Sequence, residues 1–443
     1  MRLLAALLLA LGVAGAAAQE PVTQADTAAP DMAQRIWVAS RIMSAVQMYF
    51  AYWEAVPGLD FEAEFRAYLD AVAQAADRRE YSLANRRLLA TLGNGHSFFY
   101  DQQLQGDAAG LGFSLQLIEG RWTVVDSLHA DLQIGDVILL VNGQSIYEFY
   151  AELRPYLHGS SERERERRWS WSPEQWPQEF TLGLADDRNL NIVRGSAGGR
   201  APSPAVEGEI RASGFGYLRI RSFAQADAEQ QAIAWLQAHP QLPGLIIDVR
   251  GNGGGTTPAS LIRALMDRPW REPISSSPQH FALYKAWAAI PEAFPEQDFG
   301  EQSNAMFNFA GGLVGLQVST PASLQQPSEP LYSGPLVLLI DGACASACEG
   351  FLMPFAVTDR ARLIGEPTLG STGQPYVENL GDGMQIRISA RRMRLGDGRE
   401  FEGVGISPDQ LISPGIEDLR NGADPVFDAA LAWLAGQQAT TEQ

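Results

Sequence analysis

The sequence predicts an α/β protein in which a largely parallel sheet follows an N-terminal helical segment and a small β domain. Apolar residues recur near helical spacing between residues 31 and 92. Short strands separated by turn residues fill 108–195, and strands alternate with helices beyond residue 205. Such alternation is typical of parallel sheets covered by helices.

The first 18 residues have the pattern of a secretory signal peptide. Arg2 gives a positive start, an apolar run follows, and Ala16-Ala17-Ala18 forms a small-residue cleavage site before Gln19. The apolar run is short for a membrane span. We therefore expect an exported protein, periplasmic or secreted, with no stable membrane anchor and a flexible lead over 19–30.

The charge balance excludes some partners. The chain carries 33 Lys and Arg against 52 Asp and Glu, a net charge of −19. Polyanions would be repelled, so nucleic acid and anionic membranes are not expected partners. The only lysine is Lys285.

The helical segment spans 31–107 and the small β domain spans 108–195. Gly93-Asn94-Gly95 ends the last predicted helix, directly before His96. In the β domain we expect a hairpin turning at Glu119-Gly120, a buried strand Val137–Val141 and a helix over 146–156. The charged run 161–169 is interpreted as a solvated loop or helix face.

The α/β core spans 196–420 and begins with a linker-like stretch over 195–205. Its clearest buried strands are "GLIIDVR" and "PLVLLID", and a helix is predicted over about 346–358. Residues 271–333 lack clear periodicity and are interpreted as an insertion, a lid or substrate-facing wall. A C-terminal helix and tail occupy 421–443.

Two strand ends in the core could carry chemistry, since ligands bind beyond the carboxyl ends of strands in such sheets. Gly253-Gly254-Gly255 follows one strand and could expose N–H groups to an oxyanion, or form a simple turn. Ser346 follows the other, where a helix begins. It is either an acyl-transfer nucleophile or a helix N-cap.

Both cysteines of the chain flank Ser346, in "GACASACEG". Metal binding is disfavoured, because no histidine lies nearby in the sequence to complete the ligand set. The spacing also differs from a CxxC redox motif. Two interpretations remain: Cys344 and Cys348 are small buried residues, or they form a geometrically tight disulfide.

A nucleophilic serine needs a general base, and His96 is the candidate. It lies in a glycine-bounded turn between two predicted domains, where a rigid histidine could act on a bound substrate. The alternative is an ordinary surface-loop histidine.

Together these motifs resemble the C-terminal processing, or tail-specific, serine peptidases and their tricorn-like relatives. The resemblance rests on "LGFSL…LQIGDVILLVNG", "LIIDVRGNGGG", "LIDGACASACEGF", "ARLIGEPTLGSTG" and "FEGVGISPD" in this order, over about 31–420. It implies a crotonase/Clp-like peptidase core with an inserted PDZ-like domain over 108–195.

The resemblance also implies a set of site residues. The nucleophile falls on Ser346, and the oxyanion donors on the N–H groups of Ala347 and of Gly253 or Gly254. One branch of the family uses a lysine in the turn where this chain has Ser371, so its Ser–Lys pair does not match here.

The tricorn-like branch instead uses a histidine, which His96 matches in order, and a late glutamate, which Glu402 matches in approximate position. The serine that precedes the histidine in that branch is Gly95 here. The group that orients His96 is therefore Glu402, Ser97 or Ser371.

The implied activity is hydrolysis of polypeptides through an acyl-enzyme, with no metal or organic cofactor. The PDZ-like domain would bind a peptide strand or C-terminus by β-augmentation. The rival interpretations are a catalytically inactive binding protein on the same scaffold and a different acyl-transfer enzyme.

Overall fold

The computed structural model describes residues 28–105, 110–198, 203–280, 282–293, 295–313 and 317–441. The predicted signal peptide and all but the last residues of the flexible lead lie outside these ranges. Within them, no helix combines the length and the apolar character needed to cross a bilayer.

The N-terminal segment is helical, as the periodicity predicts. Aspartates cap its three long helices, because the Asp31, Asp60 and Asp77 side chains each accept a backbone N–H of the first turn. In chain order its elements are α1 (Met32–Tyr49), α2 (Phe61–Gln74), α3 (Arg78–Ala90), β1 (Phe98–Asp101) and α4 (Gln102–Gln105). The turn between α3 and β1 carries His96.

The small β domain contains two sheets, β2-β3 and β5-β4-β6-β7. Its elements are β2 (Phe113–Ile118), β3 (Arg121–Ser127), β4 (Ile138–Val141), β5 (Gln144–Ser145), α5 (Ile146–Leu153), α6 (Glu162–Arg168), β6 (Glu179–Leu184) and β7 (Asn189–Val193). Glu119 and Gly120 both have positive φ, which matches the turn type that joins two-residue hairpins. The hairpin prediction is confirmed.

Two predictions in this domain need correction. The strand predicted over Val137–Val141 is present as β4, but it is not buried throughout, since Leu139 and Leu140 are exposed. The charged run is not a solvated face: it forms α6, in which Glu164 is fully buried and Arg167 is nearly so. Two of its charged side chains are therefore buried inside the protein.

The segment after α6 completes the core of the small domain. Trp169 and Trp176 are both buried, with ring centres 4.9 Å apart. They pack against Trp122 of β3 and Phe149 of α5. These aromatic contacts attach α6 firmly to the small domain.

The core is built on the largely parallel sheet that the sequence predicts. Its strand order is β20-β16-β15-β10-β9-β8, with every neighbouring pair parallel except β8 and β9. The other strands of the core region form smaller sheets. In chain order, the strands of this region are β8 (Val206–Ile210), β9 (Gly216–Ile220), β10 (Leu245–Asp248), β11 (Trp270–Arg271), β12 (Ile274–Pro278), β13 (Gln317–Thr320), β14 (Leu324–Gln325), β15 (Leu336–Ile340), β16 (Arg362–Gly365), β17 (Pro375–Gly381), β18 (Met384–Ser389), β19 (Arg392–Arg394) and β20 (Gln410–Leu411).

Helices cover both faces of this sheet, which explains why β10 and β15 are buried at every residue. The helices are α7 (Ala228–Ala238), α8 (Ala259–Leu265), α9 (Ala282–Ala288), α10 (Ile290–Ala293), α11 (Glu301–Leu313), α12 (Ala347–Ala356), α13 (Ile416–Asn421) and α14 (Pro425–Thr441). One face packs on α7, α8 and α12, and the other packs on α14.

The region 271–333 has regular structure despite its irregular sequence. It carries β12, β13, and the helices α9 to α11, and β12 pairs with β19 of the core. The core strands β17 and β18 form a sheet with β1 of the N-terminal segment. In this sheet β18 pairs with β1 in the register Phe98↔Arg387. This pairing holds the His96 turn beside the core.

Candidate active site

Ser346 lies on a strained turn between β15 and α12. Its backbone has φ 55° and ψ −116°, a conformation that L-residues other than glycine rarely adopt. Such strain is kept where the surrounding structure imposes it, and it raises a serine hydroxyl above a strand-to-helix turn. Ser346 thus stands at the N-cap position of α12 with its backbone in a strained conformation.

Backbone hydrogen bonds from two other loops hold this turn. The Ser346 N–H donates to the Ser371 carbonyl at 2.9 Å, and the Ala345 N–H donates to the Asn252 carbonyl at 3.1 Å. Since these loops follow β16 and β10, the neighbouring parallel strands together fix the conformation of Ser346.

Gly254 allows the closest of these approaches. Its φ is +104°, and a Cβ on this residue would lie 2.7 Å from Ser346 Cβ and 2.9 Å from the Ala347 nitrogen. Only glycine fits here, because the clash would involve backbone atoms that cannot move aside.

Two N–H groups near this contact remain available to an oxyanion. The Gly254 N–H already donates to Asn252 Oδ1 at 3.0 Å. The N–H groups of Gly253 and of Ala347 have no hydrogen-bond partner within the described ranges. Of the two glycines named as oxyanion donors, Gly253 is therefore the one whose N–H is not already used by a side chain of the loop.

His96 is partly buried and lies next to Ser371. Its Nδ1 is 3.2 Å from Ser371 Oγ. Burial lowers the pKa of His96 to about 4, Glu164 opposes this shift, and Arg168 and Arg387 add to it. The imidazole is therefore neutral at pH 7, as a general base must be.

Ser371 connects the histidine to the serine turn. Its hydroxyl contacts His96, and its carbonyl accepts the Ser346 N–H. No direct hydrogen bond joins the His96 ring to Ser346 in the described structure. Because Nδ1 faces Ser371, Nε2 is the ring nitrogen left to reach the Ser346 hydroxyl.

The other two candidate orienting residues contact the His96 turn but not the ring. Ser97 is fully buried, and its hydroxyl donates to Asn94 Oδ1 at 3.0 Å and accepts the Ser389 N–H at 3.0 Å. It fixes the turn to β18.

Glu402 contacts residues close to His96 and Ser371, without a hydrogen bond to the His96 ring. Its carboxylate accepts hydrogen bonds from Asn94 Nδ2 at 3.1 Å, the Thr372 N–H at 3.1 Å and Ser160 Oγ at 2.5 Å. Burial raises its pKa well above the usual value. Glu402 thus supports both the His96 turn and the Ser371 loop.

Glu349 has a larger role than stabilising the N-terminus of its helix. This fully buried carboxylate accepts Thr368 Oγ1 at 2.6 Å, the Gly370 N–H at 2.7 Å, the Ser371 N–H at 2.9 Å and the Ser346 N–H at 3.3 Å. Burial raises its pKa to about 7. Glu349 holds the Ser371 loop against the serine turn.

We expect Glu349→Gln to lower activity at least tenfold. The amide NH₂ would face N–H donors in place of a carboxylate oxygen, which costs about 1–3 kcal/mol for each unsatisfied buried group. Thermal unfolding measures the loss of stability, and the rate of labelling by a fluorophosphonate measures the loss of activity. Wild-type labelling in Glu349→Gln would show that the carboxylate does not set the geometry of the site.

Cys344 and Cys348 form a disulfide around Ser346. Their Cα atoms are 5.5 Å apart, and both residues are fully buried. Among the described residues, no group of three His, Cys, Asp or Glu side chains has the arrangement of a metal site. Of the two interpretations left open by the sequence, the disulfide is the one the structure contains.

Three residues near the His96 turn were not predicted from the sequence: Ser160, Glu164 and Arg168. Ser160 Oγ accepts the Gly95 N–H at 2.9 Å, and Arg168 Nη2 donates to the Gly95 carbonyl at 3.1 Å. The only sequence signal was the charged run itself, whose alternating Glu and Arg are typical of exposed helices.

The fold and the site together define an α/β protein with a strained serine turn between a parallel strand and a helix. Residues 214–412, which lie within the core, match the model of peptidase family S41.

Curated proteins of similar sequence are also peptidases. A carboxyl-terminal-processing protease of Synechocystis sp. is 25% identical over 264 residues, which cover 59% of this chain and 51% of the relative. A carboxy-terminal-processing protease of Bartonella bacilliformis is 24% identical over 250 residues, which cover 55% and 48%. The matched region is thus about half the length of these relatives.

Solved structures extend the likeness of the fold to nearly the whole chain. Mature CPAF superposes with a TM-score of 0.64 at 15% identity, covering 93% of this chain and 98% of that one. The photosystem II D1 C-terminal processing protease gives a TM-score of 0.51 at 18% identity, covering 87% and 94%. At these identities the similarity is one of fold.

Proposed function

We propose that this chain is an exported serine endopeptidase of the histidine-base branch, with Ser346 as nucleophile and His96 as general base. The observation that carries the proposal is the strained backbone of Ser346, held against a loop whose Ser371 hydroxyl contacts His96. The lysine-base alternative lacks support, because Ser371 occupies the relevant turn and Lys285 lies beside His280 in the 271–333 region.

In the proposed mechanism, His96 Nε2 takes the proton of Ser346 as its oxygen attacks a peptide carbonyl carbon. The carbonyl oxygen becomes an oxyanion, which the N–H groups of Gly253 and Ala347 bind. Collapse of this intermediate breaks the C–N bond, and the imidazolium gives its proton to the leaving amine. Water then hydrolyses the acyl-enzyme by the same steps.

Ser371 is the proposed orienting group for His96. Its hydroxyl is within hydrogen-bond distance of Nδ1, while Ser97 and Glu402 contact only the surrounding loops. A side chain on Gly95 would overlap the Ser371 hydroxyl. Ser371 thus occupies the space that a serine at position 95 would need, which accounts for the departure from the tricorn-like pattern.

The proposed substrates are polypeptides, which the PDZ-like small domain would help to bind. In the described structure β2 pairs with β3 alone, so its other edge is available for a peptide strand. The end of β2 also lines a cavity of about 690 Å³ that reaches Gly342 of the nucleophile turn. A strand bound there would lie beside the start of the turn that leads to Ser346.

Export is proposed from the leader sequence and is supported by the disulfide. Disulfides persist in oxidising compartments, such as the periplasm or the cell exterior, and are rare in the cytosol. Cys344 and Cys348 are paired in this structure.

The proposal is tested by hydrolysis of an unstructured polypeptide. We expect the wild type to cleave it, Ser346→Ala to show only background, His96→Ala to lose about 10³-fold or more in kcat, and Ser371→Ala to lose about 10–100-fold. Binding without cleavage by the wild type would favour the inactive binding protein. Cleavage that persists in Ser346→Ala would overturn the nucleophile assignment.

A further inference from the structure

Helix α6 and the residues just before it bind both backbone polar groups of Gly95, the residue before His96. Ser160, just before α6, accepts the Gly95 N–H through its hydroxyl at 2.9 Å. Arg168, at the end of α6, donates to the Gly95 carbonyl at 3.1 Å. The two bonds act on both sides of Gly95, so they fix the direction in which the chain enters His96.

Glu164 organises both of these contacts. It is fully buried, and its Oε2 accepts the Ser160 N–H at 2.6 Å. Its Oε1 accepts Arg168 Nε at 3.0 Å and also binds Arg168 Nη2. A buried carboxylate with charge-assisted partners on one helix forms a rigid unit, because breaking any bond would leave a buried charge unpaired.

Ser160 extends the unit to Glu402. Its hydroxyl accepts the Gly95 N–H and donates to Glu402 Oε1 at 2.5 Å, which uses its single proton. Glu402 in turn accepts the Thr372 N–H, next to Ser371. One hydroxyl of the small domain therefore bridges the His96 turn and the loop that orients the histidine ring.

Gly95 is the point at which these elements meet. A side chain at this position would overlap both the Glu164 carboxylate and the Ser371 hydroxyl. The bare glycine lets α6, the Ser371 loop and the His96 turn converge without a gap.

We infer that Ser160, Glu164 and Arg168 are positioning residues for His96, so that the small domain completes the catalytic centre in addition to any role in binding peptides. The inference rests on the proposed function, since it assigns a role in the same reaction. Trp169 and Trp176 fasten α6 to the small-domain core, so displacement of this domain would displace the histidine.

The charges on α6 also give the inference a signature in pH dependence. The charged groups facing His96 are Glu164 and Arg168 on α6 and Arg387 on β18, and His158 is a further titratable neighbour. Glu164 raises the pKa of His96, whereas Arg168 lowers it. Removing one or the other should therefore shift the acid limb of activity in opposite directions.

The experiment measures the rate of fluorophosphonate labelling of the purified protein against pH, together with Tm. We expect Ser160→Ala to label at least tenfold more slowly than wild type, and Ser160→Thr, which keeps the hydroxyl, to recover most of the rate. Ser161→Ala is the matched control. Its hydroxyl accepts the Glu164 N–H at the start of α6, so it should lower Tm with little change in rate.

The acid limb of wild-type labelling is expected near pH 4, because the base must be neutral. Glu164→Gln should move this limb to lower pH and Arg168→Met should move it to higher pH. A merely structural role for α6 would slow both variants without opposite shifts, and that result would overturn the inference, as would a wild-type rate in Ser160→Ala.

The two failures can be told apart. If wild-type protein is not labelled, or Ser346→Ala is labelled equally, the proposed function itself fails. If labelling depends on Ser346 and His96 but not on Ser160, only the positioning role fails.

Discussion

Ser346→Gly should be the more stable of two inactive variants, by about 1 kcal/mol over Ser346→Ala. Both changes remove the hydroxyl and should reduce hydrolysis to background. Alanine keeps the Cβ that makes φ 55° and ψ −116° costly. Glycine relieves this strain, and the relief offsets the larger conformational entropy that a glycine loses on folding. Chemical denaturation of the two variants measures the difference.

This comparison separates strain from chemistry. The matched pair is Ser161→Gly and Ser161→Ala, at a residue with ordinary negative φ (−146°) at the start of α6. There the glycine variant should not gain stability from relief of strain. Equal stabilities for the two Ser346 variants would contradict a strained nucleophile turn.

Gly254→Ala should abolish hydrolysis, with a loss of more than about 100-fold, and should destabilise the protein by about 3 kcal/mol. The added methyl group would lie 2.8 Å from the Ala345 carbonyl oxygen and 2.9 Å from the Ala347 nitrogen. Since both are backbone atoms of the nucleophile turn, the turn must shift and the N–H of Ala347 must shift with it. Hydrolysis assays and denaturant unfolding measure the two effects.

The control for this change is Gly58→Ala, because a Cβ there meets nothing within 4 Å. That variant should keep the stability and activity of the wild type. A fully active Gly254→Ala would show that close packing of the glycine loop against Ser346 is not needed for the reaction.

Much of the fold could be predicted because its signals are local. The buried strands β10 and β15 are short apolar runs that end in glycine or small residues, and the helices between them keep their period. The hairpin at Glu119-Gly120 carries its turn chemistry within two residues. Each of these elements is specified by its own neighbours in the sequence.

The support of the candidate site could not be predicted in the same way. Ser160 contacts Gly95 across 65 positions and Glu402 across 242 positions. The burial of Glu164 depends on packing between the small domain and the His96 turn, which charge alternation does not reveal. A run of alternating charges is therefore interpreted as solvated, although packing against the His96 turn buries Glu164 together with its bonds to Arg168.

The serine turn shows the same limit. Its motif marked Ser346, but local sequence did not distinguish a nucleophile from an N-cap. The strained φ of Ser346 is held by contacts from Ser371, Asn252 and Gly254 on neighbouring strand ends, which the local sequence does not reveal. The hydrogen bonds of Glu349 to the Ser371 loop likewise depend on the tertiary fold.

The most direct test of the proposed mechanism is to map the covalent adduct of a fluorophosphonate on the mature protein by peptide mass spectrometry. We expect one adduct, on Ser346, which forms readily in wild type, at least about 10³-fold more slowly in His96→Ala, and not at all in Ser346→Ala. An adduct on another residue, or one on Ser346 that forms equally fast without His96, would contradict it.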